Sequence, residues 1–159
     1  MLSVVALRAQ QTKHMHITRV SESTAELHEA LQRLVPQLGA HKIPPTPKEL
    51  RELIRSESST LLVARDPDES GPIVGILCLT VYRVPTGLRA IIEDVVVDGT
   101  ARRRGIGEAL VRHAIELARA GGADGVSLTS NPQREAANKL YQSLGFQLRQ
   151  TNPYFYDLK

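Results

Sequence analysis

Residues 95–110 (VVVDGTARRRGIGEAL) hold the densest chemistry in this chain. An apolar run, Val95-Val96-Val97, passes through Asp98-Gly99 to three arginines, Arg102, Arg103 and Arg104. Gly105-Ile106-Gly107-Glu108-Ala109 then opens an apolar-periodic stretch. That order predicts a buried strand, a basic glycine turn and the first turn of a helix. Such a turn gathers several backbone N–H groups at the positive end of a helix dipole, a site for an anion and most often a phosphate. Glycine suits positions 105 and 107, because a Cβ would obstruct a phosphate approaching the amides. The bland alternative is an ordinary strand-to-helix turn with a solvated basic surface. The turn is not a P-loop, since no Gly-Lys-Ser/Thr follows. It is not the dinucleotide fingerprint either, since one glycine is missing and the preceding strand follows a meander.

Just upstream, Glu93 and Asp94 interrupt a strand otherwise made of Ile and Val. A buried carboxylate without a partner is costly, so the pair calls for an explanation. Neighbouring strand residues point to opposite faces, which puts Glu93 with Val95 and Val97, and Asp94 with Val96. Downstream, Asn138 and Tyr141 are three residues apart and project from one helical face. His41, beside Lys42, reads more simply as a surface loop histidine. Cys78 reads as a small buried hydrophobe. Tyr82, Arg83 and residues 154–156 either shape a binding site or pack a sheet edge.

The surrounding elements follow from periodicity and punctuation. Residues 15–20 alternate as a first strand. A helix over 21–34 has Ser23 and Glu26 at capping-box spacing and buries Leu27, Ala30, Leu31 and Leu34. Pro36 ends it, and residues 39–45 form a loop. Thr46-Pro47-Lys48-Glu49 restarts a short helix, to about Ser56, on the stripe Leu50, Leu53 and Ile54. Strands over 60–65, 73–84 and 88–97 form an antiparallel meander. A helix over 107–120 carries the pair Glu108–Arg112 and stops at Gly121-Gly122. A strand over 125–130 completes a βαβ unit, hence a parallel pair with a right-handed crossover. Asn131-Pro132 caps a last helix over 133–144, with Gly145 at the C′ position. Residues 146–149 and 154–158 are expected as a closing pair of strands. The mixed charges of the first two helices read as solvated faces.

Composition bounds the answer. The chain has 159 residues, enough for one compact domain with a core. Residues 1–14 are expected as a flexible N-terminal extension and 15–159 as one domain. The net charge of +3 is mild, and aromatics at 4% are too few for a base-stacking platform, so a nucleic-acid partner is not expected. The single cysteine excludes an intramolecular disulfide and a Cys-based zinc site. The longest apolar run, 73–82, falls far short of the roughly 20 residues that span a bilayer. The patch at 2–7 lacks the charged start of a secretion signal. A cytoplasmic protein with no membrane partner is the expectation.

With these motifs in order, the chain resembles the GNAT superfamily of N-acetyltransferases. That family carries a strand, then Arg/Gln-x-x-Gly-x-Gly/Ala, then an amphipathic helix, as in Arg102-x-x-Gly105-x-Gly107. About 30 residues on, Asn131 follows the next strand. Residues 135–146 (EAANKLYQSLGF) are similar to the family's Asn-x-x-Ala-x-x-x-Tyr-x-x-x-Gly-Phe segment. The resemblance covers residues 15–158. Gly99 departs from it, where the family often has proline. The implied fold is α/β (α+β): a central mixed, mostly antiparallel sheet of about seven strands, a splayed parallel pair in the middle, and about four helices on both faces.

The resemblance implies acetyl-CoA as co-substrate and no metal. Amides from about Arg103 to Ala109 would hold the diphosphate, with Arg102, Arg104, Gly105, Ile106, Gly107 and Glu108 in the same turn. Val95, Val96 and Val97 would offer strand backbone to the pantetheine arm. Asn131 and Asn138 would lie just past the second parallel strand, on the side where α/β ligands bind. Tyr141 would protonate the leaving thiolate, and Glu93 would take the amine proton directly or through water. Residues 92–97 (IEDVVV) are similar to the strand of members that acetylate amino-sugar phosphates, a substrate that does not carry over. The expected acceptor is a primary amine of a small molecule, attacked directly in a ternary complex. A protein or peptide amine is the alternative within the class, and a non-catalytic acyl-CoA sensor is the alternative outside it. A homodimer is left open.

Overall fold

A computed structural model of the chain describes residues 15–159. The patch at 2–7 and the extension expected over 1–14 lie outside the described residues. The rest falls into two compact units, one running to Thr129 and the other Ser130–Lys159.

The first unit is built on one mixed sheet. Its strands are β1 (His16–Arg19), β2 (Ser59–Arg65), β3 (Ile73–Val84), β4 (Gly87–Val97) and β5 (Val126–Ser127), in sequence order across the sheet. The first four pair antiparallel, and β4 pairs parallel with β5. Helix α1 (Ala25–Leu34) runs into a 3-10 turn at Val35–Leu38, followed by α2 (Pro47–Arg55), and α3 (Ile106–Ala120) crosses from β4 to β5. Cross-strand partners share a face. Leu61, Val63, Ile76 and Val96 therefore lie on one side, in a core with Leu27, Leu31, Leu34 and Leu50 from α1 and α2. Gly75, Leu77 and Leu79 point to the other side. A Cβ on Gly75 would stand 3.1 Å from Leu110 Cδ1 and 3.2 Å from Ile106 Cγ2, so the missing side chain lets α3 approach the sheet.

The caps refine the predicted starts. Thr24, not Ser23, caps α1, because its Oγ1 accepts the Leu27 N–H at 3.1 Å. The capping box at α2 forms as expected. Thr46 N–H donates to Glu49 Oε2 at 2.7 Å, and Glu49 N–H donates to Thr46 Oγ1 at 3.3 Å. The charges of α1 are more than a solvated face. Arg65 donates to both carboxylate oxygens of Glu26 at 2.7 Å, tying β2 to α1.

Two expectations about the sheet are corrected. Among the described residues it has five strands rather than seven, and the parallel pair lies at its edge rather than in the middle. Strand β5 is two residues long, not the six of 125–130, and pairs only with Ala90 and Ile91. The ladder stops just before a bulge in β4. Ile76 pairs with Val96 and Cys78 with Glu93, so Asp94 and Val95 together oppose Leu77. A bulge bends its strand and increases the local twist.

In the second unit, α4 (Glu135–Ser143) ends as predicted, with Gly145 at φ 93 just past its cap residue. Residues 146–149 and 154–158 form no strand, and Leu148, Tyr154, Phe155, Tyr156 and Leu158 are exposed. Aromatic and apolar residues make a segment competent for pairing, but a two-stranded ribbon without a further partner is marginal in water. Among the described residues, no helix is long and apolar enough to cross a membrane.

Candidate acyl-donor and acceptor site

The turn between β4 and α3 is pinned from below and open above. Asp98, 7% exposed, accepts the Thr100 N–H at 3.0 Å and the Thr100 hydroxyl at 2.9 Å. This caps a 3-10 turn at Gly99–Ala101. Arg103 at φ 64 and Gly105 at φ 78 are both left-handed, and they reverse the chain into α3. No side chain caps that helix, and its first backbone bond runs from Ala109 N–H to the Gly105 carbonyl at 3.0 Å. The amides of Ile106, Gly107 and Glu108 precede that bond and lie at the positive end of the dipole. A Cβ on Gly105 would meet nothing within 4 Å, so its face is open. An uncapped helix start beside an open left-handed glycine fits a diphosphate group.

The individual residues of the turn differ in what they can offer. Arg102, Arg103 and Arg104 are exposed. Arg104 donates to Asp66 Oδ2 at 2.8 Å, so it also anchors the turn to the loop after β2. Among the described residues, Arg102 and Arg103 form no ion pair. Glu108 accepts from Arg112 Nε at 2.9 Å, the expected pair. Ile106 is 1% exposed and serves the core, leaving only its backbone to a ligand.

Among the described residues, no strand pairs with the end of β4 beyond Ile91 on the side away from β3. Asp98 N–H donates to the Val74 carbonyl at 2.8 Å. Alternate residues of an antiparallel ladder turn their backbone groups to the same neighbour. Val97 therefore directs its N–H and C=O away from β3, toward the edge that β5 leaves uncovered beyond Ile91. Val96 is buried at 4% exposure, so its side chain belongs to the core.

The bulge overturns the predicted parity of the acidic pair. Glu93 opposes Cys78 while Val96 opposes Ile76, so Glu93 shares a face with Val96 and not with Val95 and Val97. Its side chain is exposed, and so is that of Asp94, which adopts φ 52. Neither carboxylate of this pair is buried, so neither carries the desolvation cost that the sequence suggested. Cys78 is only partly buried. Burial, aided by the charges of Asp94 and Glu93, pushes its thiol up to about 11.

The second unit holds the other candidates. Asn131 Oδ1 accepts the Gln133 N–H at 2.9 Å, and Asn138 Nδ2 donates to the Asn131 carbonyl at 2.9 Å. Both side-chain amides thus stiffen the loop entering α4, whose N-cap is Arg134 rather than Asn131. Tyr141 is 7% exposed and meets Phe146 edge to face, with ring centroids 5.9 Å apart. Burial raises its phenol pKa, and the nearby charge of Arg134 opposes that shift. His41 and Lys42 are exposed in the loop after α1, and Tyr154, Phe155 and Tyr156 are exposed near the C-terminus. Glu93 and residues 95–109 thus belong to the first unit, and Asn131, Asn138 and Tyr141 to the second.

Sequence reading missed the groups that support the turn: Asp98, Arg33, Gln37 and Asp66. Asp98-Gly99-Thr100 carried a usable signal, because an Asp two residues before a backbone N–H forms an Asx turn. The partners in α1 and the loop after β2 left no local trace.

Residues 24–146 match the acetyltransferase (GNAT) family. The chain is 34% identical over 108 residues to N-acetyltransferase family 8 member 3 of Rattus norvegicus, a match covering 67% of this chain and 45% of the relative. It thus spans less than half the length of that protein. The fold is similar to a transcriptional regulator from Bacillus halodurans C-125 (TM-score 0.74, 27% identity, 89% of this chain and 100% of the other). It is also similar to the aminoglycoside acetyltransferase meta-AAC0020 from an uncultured soil metagenomic sample, in complex with sisomicin (TM-score 0.80, 22% identity, 93% and 99%).

Proposed function

The chain belongs to the acetyltransferase (GNAT) family, and we propose that it moves the acetyl group of acetyl-CoA to a primary amine of a small molecule, by direct attack in a ternary complex. The observation that carries this reading is the uncapped start of α3 next to the edge of β4 that no described strand covers. One suits a diphosphate and the other an extended amide-bearing arm.

Acetyl-CoA supplies an acyl group activated as a thioester. The amides from Arg103 to Ala109 hold its diphosphate, with Arg102 and Arg103 adding charge. Val95 and Val97 bind the arm through their backbone, and the amide near Val95 donates to the carbonyl oxygen as that oxygen gains charge. Glu93 accepts the proton that the amine must lose before attack. Tyr141 donates a proton to the departing thiolate; burial makes its phenol a weaker acid, so the donation depends on the hydroxyl being held close to the sulfur. Asn131 and Asn138 hold the loop before α4 in shape. Cys78 stays a thiol at neutral pH, which supports direct transfer over a thiolate intermediate. A cytoplasmic location, where one unpaired cysteine remains reduced, goes with this reading.

The likeness to an aminoglycoside acetyltransferase supports a small-molecule acceptor. The experiment is a thiol-release assay with acetyl-CoA across aminoglycosides, amino sugars, polyamines and peptide N-termini, preceded by a thermal-shift titration. Turnover on a small amine is the expected result. Acetylation of peptides alone would move the acceptor to protein. A thermal shift with no turnover on any amine would leave a sensor, and a flat melting curve at millimolar acetyl-CoA would remove the donor.

A further inference from the structure

Arg33 sits in the last turn of α1 and reaches across to the end of β4. Its Nε donates to Asp98 Oδ2 at 2.8 Å, and its Nη2 donates to the Ile73 carbonyl at 2.6 Å. One guanidinium thus joins α1, β3 and the turn. Gln37 makes a second tie beside it: its Oε1 accepts the Gly99 N–H at 2.9 Å, and its Nε2 donates to the Arg33 carbonyl at 3.2 Å. Asp98 is the one charged or polar residue among the buried described residues. Its other oxygen is occupied by Thr100. Hydrogen bonds from Thr100 and the charge of Arg33 hold its carboxyl below the usual range, so it is ionised at neutral pH. A carboxylate buried beside an anion-binding turn would repel that anion unless a cation cancels it.

We propose that Arg33 is a positioning residue for the diphosphate turn: it cancels the Asp98 charge and, with Gln37, fixes residues 98–101 so that the amides before Ala109 converge on one anion. The proposal rests on the acetyl-CoA reading. Its physical basis is that small misplacements of binding groups cost large factors in affinity or rate. Arg33 has no role in the chemistry itself, and it acts through Asp98. The arrangement also links the donor turn to the loop at 39–45, which begins directly after the 3-10 turn that carries Gln37.

The test is calorimetric titration of CoA into the full chain, with melting temperatures alongside. Arg33→Gln should weaken CoA binding about tenfold or more. Arg33→Lys keeps the charge but offers one nitrogen in place of the two that reach Asp98 and Ile73, and should recover part of the loss. The double variant Arg33→Gln, Asp98→Asn removes both charges, and should bind CoA better than Arg33→Gln alone. That recovery is what a merely structural role would not give. A folded Arg33→Gln protein with unchanged CoA affinity overturns the proposal, as does a double variant that binds worse than the single one. If Arg33→Gln does not fold, Gln37→Ala carries the test, since it removes an exposed side chain and one bond to Gly99. A loss of about threefold with an unchanged melting temperature supports the proposal, and no loss overturns it. Wild-type protein that binds no CoA removes the donor reading and this inference with it. Wild type and variants binding equally remove the inference alone.

Discussion

Glu93 of β4 pairs directly with Cys78 of β3, on the sheet face that also carries Val96. Replacing Glu93 by Gln should lower kcat by about a hundredfold and leave CoA affinity unchanged, if it is the base. The same change removes a charge that holds the Cys78 thiol up, near 11. Iodoacetamide should therefore label Cys78 faster in Glu93→Gln than in wild type at any given pH below that value. Wild-type kcat in Glu93→Gln would remove Glu93 from the chemistry. Unchanged labelling would contradict the pairing itself.

Tyr141→Phe keeps the ring against Phe146 and deletes only the hydroxyl. The expected result is a kcat lowered by about a hundredfold at neutral pH with little change in melting temperature. Because burial raises the phenol pKa, wild type should show no alkaline fall from this group until above about 10. Full kcat in the Phe variant at all pH values would eliminate Tyr141 as the acid.

Gly105 and Arg103 should respond in opposite senses. Gly105→Ala forces a side chain into φ 78, at a cost of about 1 kcal/mol with no steric clash, and should weaken CoA binding as the first turn of α3 shifts. Arg103→Gly relieves a non-glycine residue at φ 64, so its melting temperature should hold or rise while CoA affinity falls with the lost charge. Urea melts and calorimetry on both variants decide the matter. Equal stability changes of one sign would count against the backbone argument.

Asp98 sets an acid limit. Its folded-state pKa is lowered, first by the Thr100 backbone bond and then by Arg33, so its contribution to stability is present above the ordinary carboxylate value of 3.8. That contribution is lost as pH falls through the folded value. Asp98→Asn should be less stable than wild type at pH 7, and the gap should close as the pH is lowered below about 4. Melting curves across that range check it. A gap that stays constant with pH would mean that Asp98 acts through packing alone.

Much of this was legible along the chain because it rests on local rules. The capping box at Thr46 and Glu49, the stripe on α1, the turn at Gly105 and the glycine after α4 each depend on residues within a few positions of one another. The resemblance of Arg102-x-x-Gly105-x-Gly107 and of residues 135–146 then pointed to the donor. Three things were not legible. The strand-like residues at 146–149 and 154–158 carried no information on whether a partner strand stood beside them. Parity placed Glu93 on the wrong face, because an extra residue in β4 opposite Leu77 breaks the period of two. The charges of α1 looked solvated, yet Glu26 and Arg33 reach partners 39 and 65 residues away.

The sequence by itself determined that a basic glycine turn joins a buried strand to a long helix, and so that an anion belongs there. Helix starts and left-handed glycines are set by neighbours in the chain. Only the tertiary structure decided that the turn is held from beneath by Asp98 and Arg33, that Arg104 is tied to Asp66, and that among the described residues no strand pairs with that edge of β4 beyond Ile91. Each of those depends on which distant segments fold side by side, and a one-residue bulge is enough to change the face on which a side chain emerges.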